Sequence, residues 1–213
     1  MEGQIEVITC PVCNKKYRND AFRFGFMPEI KMWSDGFRAN DAEHEKPLIS
    51  RCNECYSFFW INGTSNLNSE KNHPVLTNTH DAEELKTLPD LARLTAEVLA
   101  EALSMKKYKN PEEEELLRIR LWWRINDQFR NCNAPQISPE LKSLFEENLE
   151  TLIYKTPVNS TQSTLKLAEM HRELGNFSEA EHLLNLVNDP RYDQVLHKMR
   201  RKIALRDKVV FLL

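Results

Sequence analysis

Apolar residues recur at helical spacing through most of the chain beyond residue 89. Leu117, Leu121, Ile125 and Phe129 repeat every fourth position, and Leu141, Leu144, Phe145, Leu149 and Leu152 lie along one side of a following segment. An earlier stretch, from about Pro89 to Met105, carries Leu91, Leu94, Val98, Leu99 and Leu103. These patterns predict amphipathic helices. Their starts are marked: Asn110-Pro111 before Glu112–Glu115, and Ser138-Pro139-Glu140, each combine an N-cap residue, a proline at the first helical position and acids at the positive end of the dipole. A last helix is expected over Arg191–Lys208, which holds seven basic and two acidic residues. A solvated face on a capping helix is the simpler reading of that charge, and an acidic partner or nucleic acid the sharper one.

The first 62 residues follow a different rhythm. Phe22, Phe24 and Phe26 alternate with period two, Glu29–Trp33 is a second short extended stretch, and Ser57–Ile61 is a third. Ser34-Asp35-Gly36 reads as a turn. Four of the five glycines fall within residues 1–63 and only Gly175 follows residue 80, so a turn-rich part precedes a helical one. The stretch 63–81, rich in Asn, Ser, Thr and His, reads as a linker. The expected organisation is α+β: an antiparallel-β module over 1–62, a linker over 63–81 and an all-α domain over 82–213.

Four of the five cysteines form two CxxC pairs, Cys10-Pro11-Val12-Cys13 and Cys52-Asn53-Glu54-Cys55. A two-residue gap lets both sulfurs of a pair converge on one cation, and two such turns supply four tetrahedral donors at about 2.3 Å from a zinc ion. All-sulfur ligation favours zinc or iron, and a closed four-cysteine set leaves no place for a catalytic water. A structural Zn²⁺ held by Cys10, Cys13, Cys52 and Cys55 is therefore expected, with iron as the alternative. A module of about 60 residues has little core, so a metal cross-link is useful to it. Disulfides are disfavoured because the N-terminus lacks the basic and apolar regions of a signal peptide. Cys132 reads as a packing residue, and His44, between Glu43 and Glu45, as solvated. Phe24, Trp33, Phe58 and Trp60 are expected to form the small core beside the metal, or alternatively a platform for stacked bases.

On Cys10-Pro11-Val12-Cys13, Trp33-Ser34-Asp35-Gly36 and Arg51-Cys52-Asn53-Glu54-Cys55, the chain resembles uncharacterised bacterial proteins that join a double-CxxC zinc ribbon to tetratricopeptide-like helices. Asn14 and Tyr56 stand where such turns often carry glycine. The resemblance implies an architecture and supplies no activity.

The segment 167–180 looks like a tetratricopeptide unit, within a repeat at about 161–190. Leu167 and Ala168 are the large-then-small pair of its first helix, Gly175 suits the turn, and Ala180 allows close helix contact; Thr164 departs from the usual large residue. Glu169 reads as exposed. Adjacent Trp122 and Trp123 point about 100° apart, so both are buried only where their helix is covered on two sides.

Composition narrows the function. With 29 basic and 32 acidic residues the net charge is −3, and the first 60 residues hold eight basic against nine acidic side chains, which disfavours a general polyanion binder. No run of eighteen apolar residues is present, so no membrane span and a cytoplasmic location are expected. No phosphate loop, nucleophile elbow or HExxH pair occurs. The expected function is a non-enzymatic protein-interaction module that binds a protein or peptide on its helical surface. Nucleic-acid binding, and an enzyme whose site forms only in space, are the alternatives.

Overall fold

The computed structural model describes residues 5–20, 29–40, 47–61, 87–130 and 137–213. The linker 63–81, the Phe22/Phe24/Phe26 stretch, His44 and Cys132 lie outside them. The chain divides into two compact units, one formed by residues 1–29 and 40–95, the other by Ile30–Ala39 and Ala96–Leu213. Among the described residues, small antiparallel hairpins are followed by six α-helices, which makes the fold α+β.

Among the described residues, the first unit is built on two hairpins. Strands β1 (Ile5–Thr9) and β2 (Lys16–Asp20) pair antiparallel. Between residues 30 and 39 lies a further hairpin, β3 (Lys31–Met32) with β4 (Arg38–Ala39), which belongs to the second unit. The first unit resumes with β5 (Ile49–Arg51) and β6 (Phe58–Trp60). Its core is Ile8, Cys10, Tyr17, Cys52, Phe59 and Ile61. In β6 the inward side chain is thus Phe59, while the flanking Phe58 and Trp60 are half-buried, a correction to the expected core. The segment after Thr87 also differs from expectation. Arg18 N–H donates to Pro89 O and Leu91 N–H to Arg18 O, both at 2.8 Å, and the Arg18 guanidinium is paired with Asp90. Residues 89–91 are therefore extended along β2, and the predicted helix begins at Ala96 instead.

The second unit holds α1 (Ala96–Ser104), α2 (Pro111–Arg130), α3 (Pro139–Lys155), α4 (Thr161–Leu174), α5 (Phe177–Asn185) and α6 (Asp193–Ala204). Each helix packs on the next in sequence. The predicted starts are local chemistry made visible. Asn110 Oδ1 accepts Glu113 N–H at 2.7 Å while Glu113 Oε2 accepts Lys109 N–H at 2.6 Å, and Ser138 Oγ accepts from Leu141 N–H. Trp122, Leu149, Leu152, Leu167, Ala168, Met170, Ala180 and Leu184 form the centre of the core. Gly175 closes α4 at φ +89°, a left-handed cap that suits glycine. The last helix ends at Ala204, short of the expected Lys208.

The β3–β4 hairpin belongs with the helices because its aromatic and acidic side chains are spent there. Trp123 Nε1 donates to Asp35 O at 3.0 Å and its ring meets Phe37 edge-on at 5.5 Å. The Arg130 guanidinium lies over both Trp33 and Phe37. Residues 211–213 extend the hairpin: Ser34 N–H bonds Phe211 O and Leu213 N–H bonds Met32 O, each at 2.9 Å. The ring of Trp122 faces the helical core, so α2 is covered on both of its tryptophan sides.

Candidate metal centre

The two CxxC turns are built alike. Thr9 pairs with Lys16 across the first and Arg51 with Phe58 across the second, so each turn spans six residues. Within each, the first cysteine's N–H donates to the residue five positions on and its carbonyl accepts from the residue four positions on: Cys10 N to Lys15 O and Asn14 N to Cys10 O, Cys52 N to Ser57 O and Tyr56 N to Cys52 O. Closing the turn this tightly forces a left-handed residue, and Asn14 and Tyr56 adopt φ of 62° and 58°. Asparagine enters that region readily. For Tyr56 it costs about 1–2 kcal/mol, a strain tolerated where the turn must aim two sulfurs at one point.

All four predicted ligands meet. The sulfurs of Cys10, Cys13, Cys52 and Cys55 lie within 4.8 Å of one another, with Cys10 to Cys55 at 3.7 Å and Cys13 to Cys52 at 3.4 Å. Tetrahedral ligands about 2.3 Å from a zinc ion stand about 3.8 Å apart, so the donor set fits such an ion. Cys10 and Cys52 are buried, Cys55 is half-buried and Cys13 is exposed. The centre therefore has one pair of sulfurs on the core side and one edge toward solvent.

The thiols alone form an unbalanced set. Burial raises Cys10 against the backbone N–H groups of Cys13 and Val12. Cys13 is favoured as a thiolate by Lys15 N–H, but partial desolvation within the turn and the three neighbouring sulfurs push it up to about 12. For Cys52, burial is outweighed by Cys55 N–H, the Tyr17 hydroxyl and Glu54 N–H, which bring it down to about 6. Cys55 is lowered by the Ser57 hydroxyl and N–H. Four thiolates this close repel one another, and a divalent cation is what lets all four ionise together.

Tyr17 is the functional residue the sequence reading passed over. Only 1% exposed, it accepts Asn53 N–H at 2.9 Å and places its hydroxyl 3.1 Å from Cys52 Sγ. With the phenol oxygen accepting from Asn53, its own hydrogen is left for the sulfur. Burial, and then the Cys52 sulfur, push the phenol up to about 12, so it remains a donor. A signal was present: Tyr17 follows Cys10 by the same seven positions that separate Phe59 from Cys52.

No family model matches the chain, and no curated protein or solved structure matches it either. Among the described residues, no helix is long and apolar enough to cross a membrane.

Proposed function

We propose that the protein is a metal-stapled interaction module, in which a structural zinc ion holds a ribbon together and a tetratricopeptide-like helical array carries the binding surface for a protein or peptide. The convergence of four sulfurs on two equivalent turns carries the first half of this reading, because a closed thiolate set builds structure and leaves no open coordination position. The packing of α4 against α5, with Ala180 fully buried and Gly175 in the turn between them, supports the second. The array is then covered on one side by the β3–β4 hairpin and residues 211–213, which leaves outward apolar side chains such as Tyr154, 91% exposed, and Val158, 60% exposed, as the candidate contact. Aromatic residues of this kind are enriched at binding hot spots.

Nucleic-acid binding is the second reading, favoured by the exposed Tyr56 ring beside the Arg51 guanidinium. The basic residues near the end of the chain weigh against it, because several are already matched: Arg191 with Asp189, Arg200 with Glu181 and Lys202 with Asp207. The test is a cross-linking pull-down with the full chain, compared with a Tyr154→Ala/Val158→Ser variant, alongside titration with a single-stranded oligonucleotide at low and high salt. Partner capture that the double variant abolishes supports the interaction reading. Salt-sensitive oligonucleotide binding that the variant leaves intact replaces it with the second.

A further inference from the structure

A second cluster of ionisable groups lies in the helical unit, apart from the cysteines. Five side chains there are nearly inaccessible: Asp35 at the tip of the β3–β4 hairpin, Arg130 on α2, and Glu169, Arg172 and Glu173 on α4. Four of them are matched as ion pairs. The Arg130 guanidinium is bonded to Asp35 and also reaches Asp127 at 2.6 Å. Arg172 grips Glu169 through two bonds of 2.8 and 2.6 Å and donates further to the carbonyls of Asp207 and Val209.

Glu173 is the remainder. Its hydrogen-bond partners among the described residues are neutral: Trp122 Nε1 at 2.7 Å from Oε2, and Asn126 Nδ2 at 3.2 Å from both oxygens. The same Asn126 nitrogen stands 3.0 Å from Asp35 Oδ2, so three carboxyl oxygens crowd one amide with two hydrogens. Three buried acids face two guanidinium groups. An unmatched carboxylate in such a place is strongly disfavoured and takes up a proton instead.

We propose that Glu173 keeps its proton at neutral pH and that this proton latches the β3–β4 hairpin to the helices, because it allows Asp35 to remain ionised against Arg130 in the same cluster. Burial, then the charges of Glu169 and Asp35, favour the neutral acid at Glu173, opposed by Arg172 and the Trp122 N–H. Burial raises Asp35 as well, but there the Arg130 charge and the N–H groups of Asn126 and Phe37 oppose it, and among the described residues Glu173 has no ion-pair partner to match Arg130. The other charged groups nearby are already engaged: Asp127 with Arg124 and Arg130, and Asp207 with Lys202. When the proton leaves, Asp35 and Glu173 become two anions sharing one amide. The hairpin tip, tied down by Arg130, Asn126 and Trp123, is the element that yields.

The direction of the effect follows from linkage. Glu173 is raised well above its ordinary value of 4.5 in the folded chain. Its contribution is complete below that ordinary value, declines as the pH rises above it, and is gone beyond the folded value. Within that window the opening equilibrium grows by up to about tenfold per pH unit. The test is amide hydrogen exchange on the full chain from about pH 5 to 9, corrected for the intrinsic rate, at the N–H groups of Trp33, Ser34 and Phe37, which are bonded to Phe37 O, Phe211 O and Asp35 Oδ1. Protection is expected to fall with pH in the natural chain and to stay level in Glu173→Gln, whose neutral amide replaces the protonated acid. Equal slopes in the two proteins overturn the proposal. Should the Gln variant not fold, carbon NMR of the Glu173 carboxyl decides: a protonated signal at neutral pH supports the latch and an ionised one overturns it.

Discussion

The Tyr17 hydroxyl sits 3.1 Å from the Cys52 sulfur, reaching from one hairpin of the cysteine unit to the other. Since β1–β2 and β5–β6 present their cysteines in the same way, this bond breaks an otherwise repeated arrangement: Phe59, in the matching position, has no hydroxyl to offer. Cys52 thereby gains a hydrogen-bond donor from outside its own turn. Such outer contacts orient a ligand and temper the charge on it.

Tyr17→Phe is therefore expected to weaken metal binding by about 10–100-fold, the usual range for loss of a second-layer partner. It also leaves Asn53 N–H without its acceptor. Competition against a chromophoric chelator measures the change. An unaltered affinity would mean that the hydroxyl only fills space.

Replacing Cys52 with Ser, or stripping the metal with a strong chelator, is expected to unfold the cysteine unit while the helical circular dichroism persists. The small core of Ile8, Tyr17, Phe59 and Ile61 is too slight to stand without a cross-link. Elemental analysis of protein purified without added metal should give about one equivalent per chain, chiefly zinc. Loss of the entire helical signal on chelation would show that the two units unfold together.

The parts of this fold legible in the sequence were those fixed by short-range chemistry. The CxxC spacing announces four sulfurs because metal geometry demands them at that separation, and Asn110-Pro111 and Ser138-Pro139 announce helices because capping is settled within one turn. Long-range choices left no such mark. Trp33 and Phe37 lie between the cysteine pairs in sequence, yet their rings stack against Arg130, and no periodicity in residues 30–39 signals a partner so far along the chain. Pro89 resembles a helix start until its carbonyl is claimed by Arg18 N–H. Glu169 reads in the sequence as an exposed helix position. It is fully buried, since Arg172 three positions on neutralises it, and a matched pair can go where a lone acid cannot.

That pairing makes Arg172 a vulnerable point. Arg172→Met keeps much of the side-chain volume but leaves Glu169 buried without a counter-ion and two carbonyls, of Asp207 and Val209, without a donor. Breaking one side of a buried pair typically costs about 3–5 kcal/mol, and urea denaturation should register it. The double variant Arg172→Met/Glu169→Leu removes both charges and is expected to recover much of the loss. If Arg172→Met alone is as stable as the natural chain, the ion pair contributes nothing to the fold.

The contact between α4 and α5 can be probed at two positions with different physics. Ala180 is fully buried, so Ala180→Leu adds volume where none is free, and overpacking of this kind costs about 1–3 kcal/mol. Gly175 holds a positive φ, and a Cβ there would also meet the end of the Lys208 side chain. Lys208 is flexible and can withdraw, giving up its 2.9 Å bond to Leu174 O, but the backbone conformation cannot be relieved so easily. Gly175→Val is thus expected to be destabilising chiefly through strain. Lys198→Val, on the exposed face of α6, supplies the comparison, with only a helix-propensity cost of roughly 0.5 kcal/mol. Chemical denaturation of the three variants separates the effects. If Ala180→Leu and Gly175→Val unfold at the same denaturant concentration as Lys198→Val, close approach of the two helices is not what the small residues provide, and the tetratricopeptide-like reading of the array loses its support.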